Sequence, residues 1–274
     1  MEARRGRSTF PMDLIKYGWS DVSAEEAQRK AERALEELAS RVMSGEELSH
    51  YNYGDRYPLR EELIQEVRVH GEVTAYVTRN SYGCLVLNSA QVLFADIDCP
   101  KRKPAGGLLR RLFGGTKDNA PDPADEALAR VGEWARQNSR YSFRAYRTNA
   151  GLRLLFTSHL FDPTAAATRQ LLEDLGSDAL YVRLCRAQEC FRARLTPKPW
   201  RIGWKSAHHH WPPLSPTHEA EMAKWQREYE KRRPRFAVCA LAQEFGRGEV
   251  LEEVRPILAL HDEMTGVGQA LPLA

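Results

Sequence analysis

No stretch of this 274-residue chain approaches the roughly 20 consecutive apolar residues of a membrane-spanning helix. A membrane protein is therefore not expected. The basic start, Arg4, Arg5 and Arg7, is followed by no apolar run, because Asp13, Lys16 and Asp21 interrupt it, and a secretory signal is not expected either. Cysteine is sparse: five residues, an odd number without repeated spacing, fit reduced thiols rather than a disulfide scaffold. On these grounds a cytoplasmic location is expected. Zinc spacing is lacking as well, since Cys185 and Cys190 are too far apart for a CxxC knuckle, and His208, His209, His210, His218 and Cys239 complete no ligand pattern. There is no Walker loop, no Gly-x-Gly-x-x-Gly and no Gly-x-Ser-x-Gly.

What is present describes a soluble globular chain of one or two domains, with 42% hydrophobic and 28% charged residues. The net charge is only +3, but the basic residues cluster. Lys101, Arg102, Lys103, Arg110, Arg111 and Lys117 form one group; Arg183, Arg186, Arg192, Arg194, Lys198, Arg201 and Lys205 form another. Such groups either track phosphates or form solvated surface.

Hydrophobic periodicity predicts a helix over 23–44, with Ser23 and Glu26 as a capping box. The segment 50–58 reads as a loop. Strands are expected at 73–78, 84–87 and 92–98, then a helix at 124–137, strands at 141–146 and 152–156, helices at 163–175 and 177–186, and a strand at 191–195. Helices at 216–231 and 251–264 follow a His-Pro-rich linker. This order predicts an α+β, two-layer fold with a mixed sheet covered by helices on one face. It divides the chain into an N-terminal helical segment (1–45), a core (46–204) carrying a basic loop at 100–123, and a C-terminal helical segment (205–274).

The chemistry is concentrated where the apolar run Val92-Leu93-Phe94-Ala95 ends in Asp96-Ile97-Asp98. Side chains alternate along a strand, so Asp96 and Asp98 share a face with Phe94 while Ala95 and Ile97 enter the core. Two carboxylates so close repel each other unless a cation lies between them, and oxygen ligands suit hard ions such as Mg²⁺ or Mn²⁺. An isolated Asp-x-Asp also marks an ordinary strand end reaching solvent.

The run Leu93-Phe94-Ala95-Asp96-Ile97-Asp98 resembles the first, hydrophobic-Asp-hydrophobic-Asp motif of the archaeo-eukaryotic primase superfamily, which includes primase-polymerases. Two further segments follow in the family's order. Thr148-Asn149-Ala150-Gly151-Leu152-Arg153-Leu154-Leu155-Phe156 resembles the phosphate-contacting turn-and-strand motif, with Arg153 where the family usually has His and Gly151 in place of a small hydroxyl residue. Asp178-Ala179-Leu180-Tyr181 and the strand Phe191-Arg192-Ala193-Arg194-Leu195-Thr196-Pro197-Lys198 resemble the third. The likeness covers about residues 84–204.

The resemblance implies an RRM-like primase-polymerase core. In it Asp96, Asp98 and Asp178 are catalytic and hold Mg²⁺ or Mn²⁺, while Arg153, Arg192, Arg194 and Lys198 bind nucleotide phosphates. It implies nucleoside triphosphates as substrates and a single-stranded nucleic-acid template as partner, with helicases or other replication or defence proteins as further candidates. Arginine can hold phosphate bidentately, so nucleotide binding is compatible with Arg153. A catalytically inactive, primase-like module that binds nucleic acid or nucleotide is the alternative, and a phosphodiesterase or nuclease would use the same carboxylates with water as nucleophile. Asp178 also suits a helix N-cap. Trp200 and Trp204 suit either base stacking or packing.

Overall fold

The computed structural model describes residues 2–5, 8–11, 23–44, 61–99, 122–207 and 209–274. The basic residues expected in the 100–123 loop, the loop at 50–58 and His208 lie outside the described residues. The chain forms two compact units, Met1–Arg60 and Glu61–Ala274.

In the first unit β1 (Glu2–Arg5) and β2 (Ser8–Pro11) pair antiparallel. Helix α1 (Ala24–Met43) starts as the capping-box pattern predicts, the Glu26 N–H donating to Ser23 Oγ at 3.2 Å.

The second unit holds two four-stranded sheets. The first runs β3 (Glu62–Val69), β4 (Glu72–Arg79), β5 (Leu85–Ser89), β9 (Phe191–Arg194); the second runs β10 (Cys239–Phe245), β7 (Phe143–Thr148), β8 (Gly151–Phe156), β6 (Phe94–Asp98). All pairings within them are antiparallel. The helices are α2 (Pro123–Gln137), α3 (Ala166–Asp174), α4 (Ala179–Gln188), α5 (Pro216–Arg232) and α6 (Arg255–Thr265). The α+β class is thus present, but the expected single mixed sheet is replaced by two antiparallel ones. The chain changes sheet between β5 and β6, where Ser89 Oγ accepts from the Val92 N–H at 2.9 Å and closes the corner.

Four strands escaped the sequence reading: β1 and β2, which lie in the segment 1–45 expected to be helical, and β3 and β10, each of which carries a register shift against its partner that breaks the period of two marking a strand. Residues 205–274, expected to be helical, therefore also supply β10 to the sheet that contains β6. One hydrophobic core is shared by the inward faces of both sheets and by α2, α3, α4 and α6. Around Trp134 of α2, the rings of Tyr141, Phe143 and Phe156 lie 5.7, 6.0 and 6.2 Å away and fasten that helix to the second sheet. No described helix is long and apolar enough to cross a membrane.

Candidate active site at the end of β6

The face of β6 that carries Phe94, Asp96 and Asp98 opens progressively along the strand. Phe94 is fully buried, its ring 5.5 Å from that of His261 on α6, while the Asp96 side chain is 35% exposed and Asp98 lies in the open. The opposite face, Ala95 and Ile97, is in the core. Alternation therefore delivers two carboxylates to a rim while the rest of the strand anchors them.

Gly151 makes the rim possible. It sits opposite Asp98, and a Cβ there would lie 2.0 Å from the Ile97 carbonyl oxygen and 2.8 Å from the Cys99 nitrogen. Only glycine allows β8 to approach the end of β6 so closely. The Cys99 N–H closes the same corner by donating to the Ala150 carbonyl at 2.8 Å.

The register that follows places Arg153 directly across from Asp96. Its Nε donates to Asp96 Oδ1 at 3.0 Å and its Nη1 to the Arg194 carbonyl at 2.8 Å; the side chain is buried. Although burial disfavours the guanidinium charge, Asp96 more than compensates and the Arg153 pKa is raised. Behind Arg153 stands a buried row. Cys239 Sγ lies 3.7 Å from Arg153 Nη1 and 3.9 Å from His261 Nε2, and His261 Nδ1 is 2.9 Å from Asp262 Oδ1. His261 is fully buried, whereas Asp262 is half-buried and also meets Arg144 Nη1 at 2.7 Å.

Asp178 joins the site through the backbone, its N–H donating to the Asp96 carbonyl at 2.9 Å. Its side chain caps α4, Oδ1 accepting from the Tyr181 N–H at 2.8 Å. The Tyr181 hydroxyl then donates to the Phe94 carbonyl at 2.8 Å, so the first turn of α4 is tied to β6 twice. The Asp98 pKa is raised, by burial first and then by the charges of Asp178 and Asp96; Lys198 and Arg201 pull it the other way.

The cations separate into two groups. Arg192 is engaged elsewhere, its Nη2 lying 2.7 Å from both carboxylate oxygens of Glu61. Glu61 was not singled out by the sequence, and nothing in the local pattern before β3 points to it. Lys198 and Arg201 lie within electrostatic reach of Asp98, and Arg194 within that of Arg153 and Asp96. Burial lowers the pKa of each, mutual repulsion adds to it for Lys198, and Arg153 adds to it for Arg194. Arg194 Nε is buried without a hydrogen-bond partner among the described residues. Arg201 belongs with Lys198 by charge and position, and the basic run of the sequence held that signal.

His159, near the expected histidine position in sequence, bonds through Nδ1 to Ser158 Oγ at 2.8 Å and packs against Tyr141 at 4.9 Å. Trp204 is packed beneath Arg232, whose guanidinium carbon is 4.5 Å from the ring centroid, whereas Trp200 is 47% exposed.

Asp98 lies within electrostatic reach of Asp178 and Asp96, whose charges help to raise its pKa, and carboxylate oxygens are the ligand type that hard divalent ions take. Among the described residues there is no group of three or more His, Cys, Asp or Glu side chains that could hold a metal ion. Mg²⁺ sites commonly use one or two carboxylates and are completed by water and substrate phosphate. Comparison of the chain with protein-family models, curated proteins and solved structures finds no significant match.

Proposed function

We propose that the chain is a divalent-metal-dependent nucleotidyltransferase of primase-polymerase type, acting with nucleoside triphosphates on a single-stranded template. The reading rests on Asp98 at the open end of β6, within electrostatic reach of Asp178, Asp96, Lys198 and Arg201, with Asp178 tied by its N–H to the Asp96 carbonyl. In this reaction class a 3′-hydroxyl attacks the α-phosphorus and pyrophosphate leaves. A Mg²⁺ or Mn²⁺ held by Asp98 and Asp178 would offset the negative charge developing on the phosphates.

The chain's own residues have distinct parts in this reading. Asp98 and Asp178 present oxygens to the ion. Arg153 is buried and holds Asp96 Oδ1 while the Asp96 side chain stays 35% exposed, so it orients a carboxylate rather than touching phosphate. Lys198 and Arg201 form the phosphate-binding edge. Arg192 is left out of that set because Glu61 occupies its guanidinium.

One observation favours a second reading, a primase-like module that binds nucleotide or nucleic acid without polymerising. Asp96 is already neutralised by Arg153, at the position where the family has His. Incubation of the full chain with primed and unprimed single-stranded templates, nucleoside triphosphates and Mn²⁺ or Mg²⁺ separates the two. Extension abolished by Asp98→Asn supports the transferase. Metal-dependent nucleotide binding without extension supports the module, and cleavage of the template would assign the carboxylates to a nuclease.

A further inference from the structure

Trp200 is the large aromatic side chain that the proposed reaction leaves unused next to its own site. It lies in a single 3-10 turn, Pro199–Ile202, which also carries Arg201 and is N-capped by Lys198. The turn is closed by the Arg201 N–H donating to the Lys198 carbonyl and the Trp204 N–H to the Pro199 carbonyl, both at 2.9 Å, and Gly203 ends it at φ +68°. The Lys198 ammonium lies 5.5 Å from the centre of the indole. The same ammonium lies within the electrostatic reach of Asp98. Lys198 therefore links the indole to the carboxylate cluster.

Tyr82 braces the indole, the ring centroids being 5.3 Å apart at an interplanar angle of 81°. Tyr82 is itself held on a locked turn, because Asn80 Oδ1 accepts from the Tyr82 and Cys84 N–H groups at 3.1 and 3.0 Å and the Asn80 N–H donates to the Cys84 carbonyl at 2.9 Å. The two segments are stitched together where the Leu85 N–H donates to Thr196 Oγ1 at 2.9 Å. A large aromatic surface, 47% exposed, is thus held rigidly without serving the core. Lys198 lies over the ring and Arg201 follows the indole in the same turn. That pairing of π-surface and positive charge is the chemistry that takes up a nucleobase together with its phosphates.

We infer that Trp200, braced by Tyr82, is a stacking platform for a nucleobase whose phosphates lie on Lys198 and Arg201. It rests on the same phosphate-binding edge as the proposed function and adds the base-binding element. The base belongs either to a single strand or to a free nucleotide, and the two are distinguished by probe.

Binding to the full chain is measured with a labelled single-stranded oligothymidylate, an abasic oligomer of equal length and ATP. Trp200→Ala is expected to weaken the base-containing ligand roughly ten-fold and leave the abasic strand unchanged, while Trp200→Phe retains most of the affinity. Trp200→Leu, apolar but without a ring, follows the alanine variant and carries the test if that variant fails to fold. A loss confined to oligothymidylate assigns the base to a strand, and a loss confined to ATP assigns it to the nucleotide; either supports the platform. Equal losses on oligothymidylate and the abasic strand, no loss on oligothymidylate or ATP, or no binding of any probe by the wild-type chain would overturn it. Base-dependent binding lost with Trp200 is read separately from extension lost with Asp98→Asn, so either proposal can fail while the other stands.

Discussion

Asp96 and Arg153 face each other across β6 and β8 and are joined by a 3.0 Å ion pair whose two ends differ in solvation, the arginine side chain 2% exposed and the aspartate 35%. The asymmetry sets the cost of removing either one. Asp96→Ala strands a fully buried guanidinium and is expected to destabilise the fold by about 3–5 kcal/mol. Arg153→Met leaves a carboxylate that already reaches water, so its cost in urea denaturation is expected to be smaller. Loss of activity in Asp96→Ala would therefore mix unfolding with lost chemistry, which makes Asp98 the cleaner probe. In the proposed enzyme Arg153→Met also frees Asp96 to rotate, with an expected loss of roughly 10–100-fold in metal affinity or activity.

Asp178 has two roles that substitution can separate. Its Oδ1 caps α4 at 2.8 Å from the Tyr181 nitrogen. Asp178→Ala is expected to lose both the cap, about 1 kcal/mol, and the carboxylate. Asp178→Asn retains a good cap and removes the charge. Thermal melting close to wild type together with lost metal binding in Asp178→Asn would assign the carboxylate to the site. Unchanged metal binding in that variant would leave Asp178 as a cap alone.

The raised pKa of Asp98 gives a pH signature. Burial, then Asp178 and Asp96, lift it above its ordinary value of 3.8, so the folded chain holds that proton more tightly than the unfolded chain. Its contribution to stability is present below the ordinary value and falls as pH rises through the raised one. Asp98→Asn should be more stable than wild type at neutral pH, with the difference shrinking as pH falls into the acid range. Urea titrations across that range measure it, and a variant less stable at neutral pH would contradict the electrostatic picture.

Gly151→Ala is expected to destabilise by about 1–3 kcal/mol, because the new methyl group would overlap the Ile97 carbonyl across the β6–β8 corner. Hydrogen exchange should show the loss at β6 and β8, with the first sheet largely protected.

How far the sequence foretold this site depends on how local each signal is. The buried run ending in Asp96 and Asp98, the strand at β8 and the helix start at Asp178 are written within a few adjacent residues, and each is where the pattern placed it. β3 and β10 carry bulges, so their alternation is broken and they were missed. The partners of the arginines were beyond reach for a different reason. Arg153 meets Asp96 only once the β6–β8 register is set, and Arg192 meets Glu61 across 131 residues of chain. A cation's identity is local, but whether it is free for phosphate is decided by tertiary structure.

The central claim, that the end of β6 is a divalent-metal site used with nucleotide, is tested most directly by calorimetric titration of Mn²⁺ into the full chain with a non-hydrolysable nucleoside triphosphate present. The account predicts saturable binding in the wild type that is lost in Asp98→Asn and in Asp178→Asn while both variants remain folded. Absence of binding in the wild type, or equal binding in all three proteins, would contradict it.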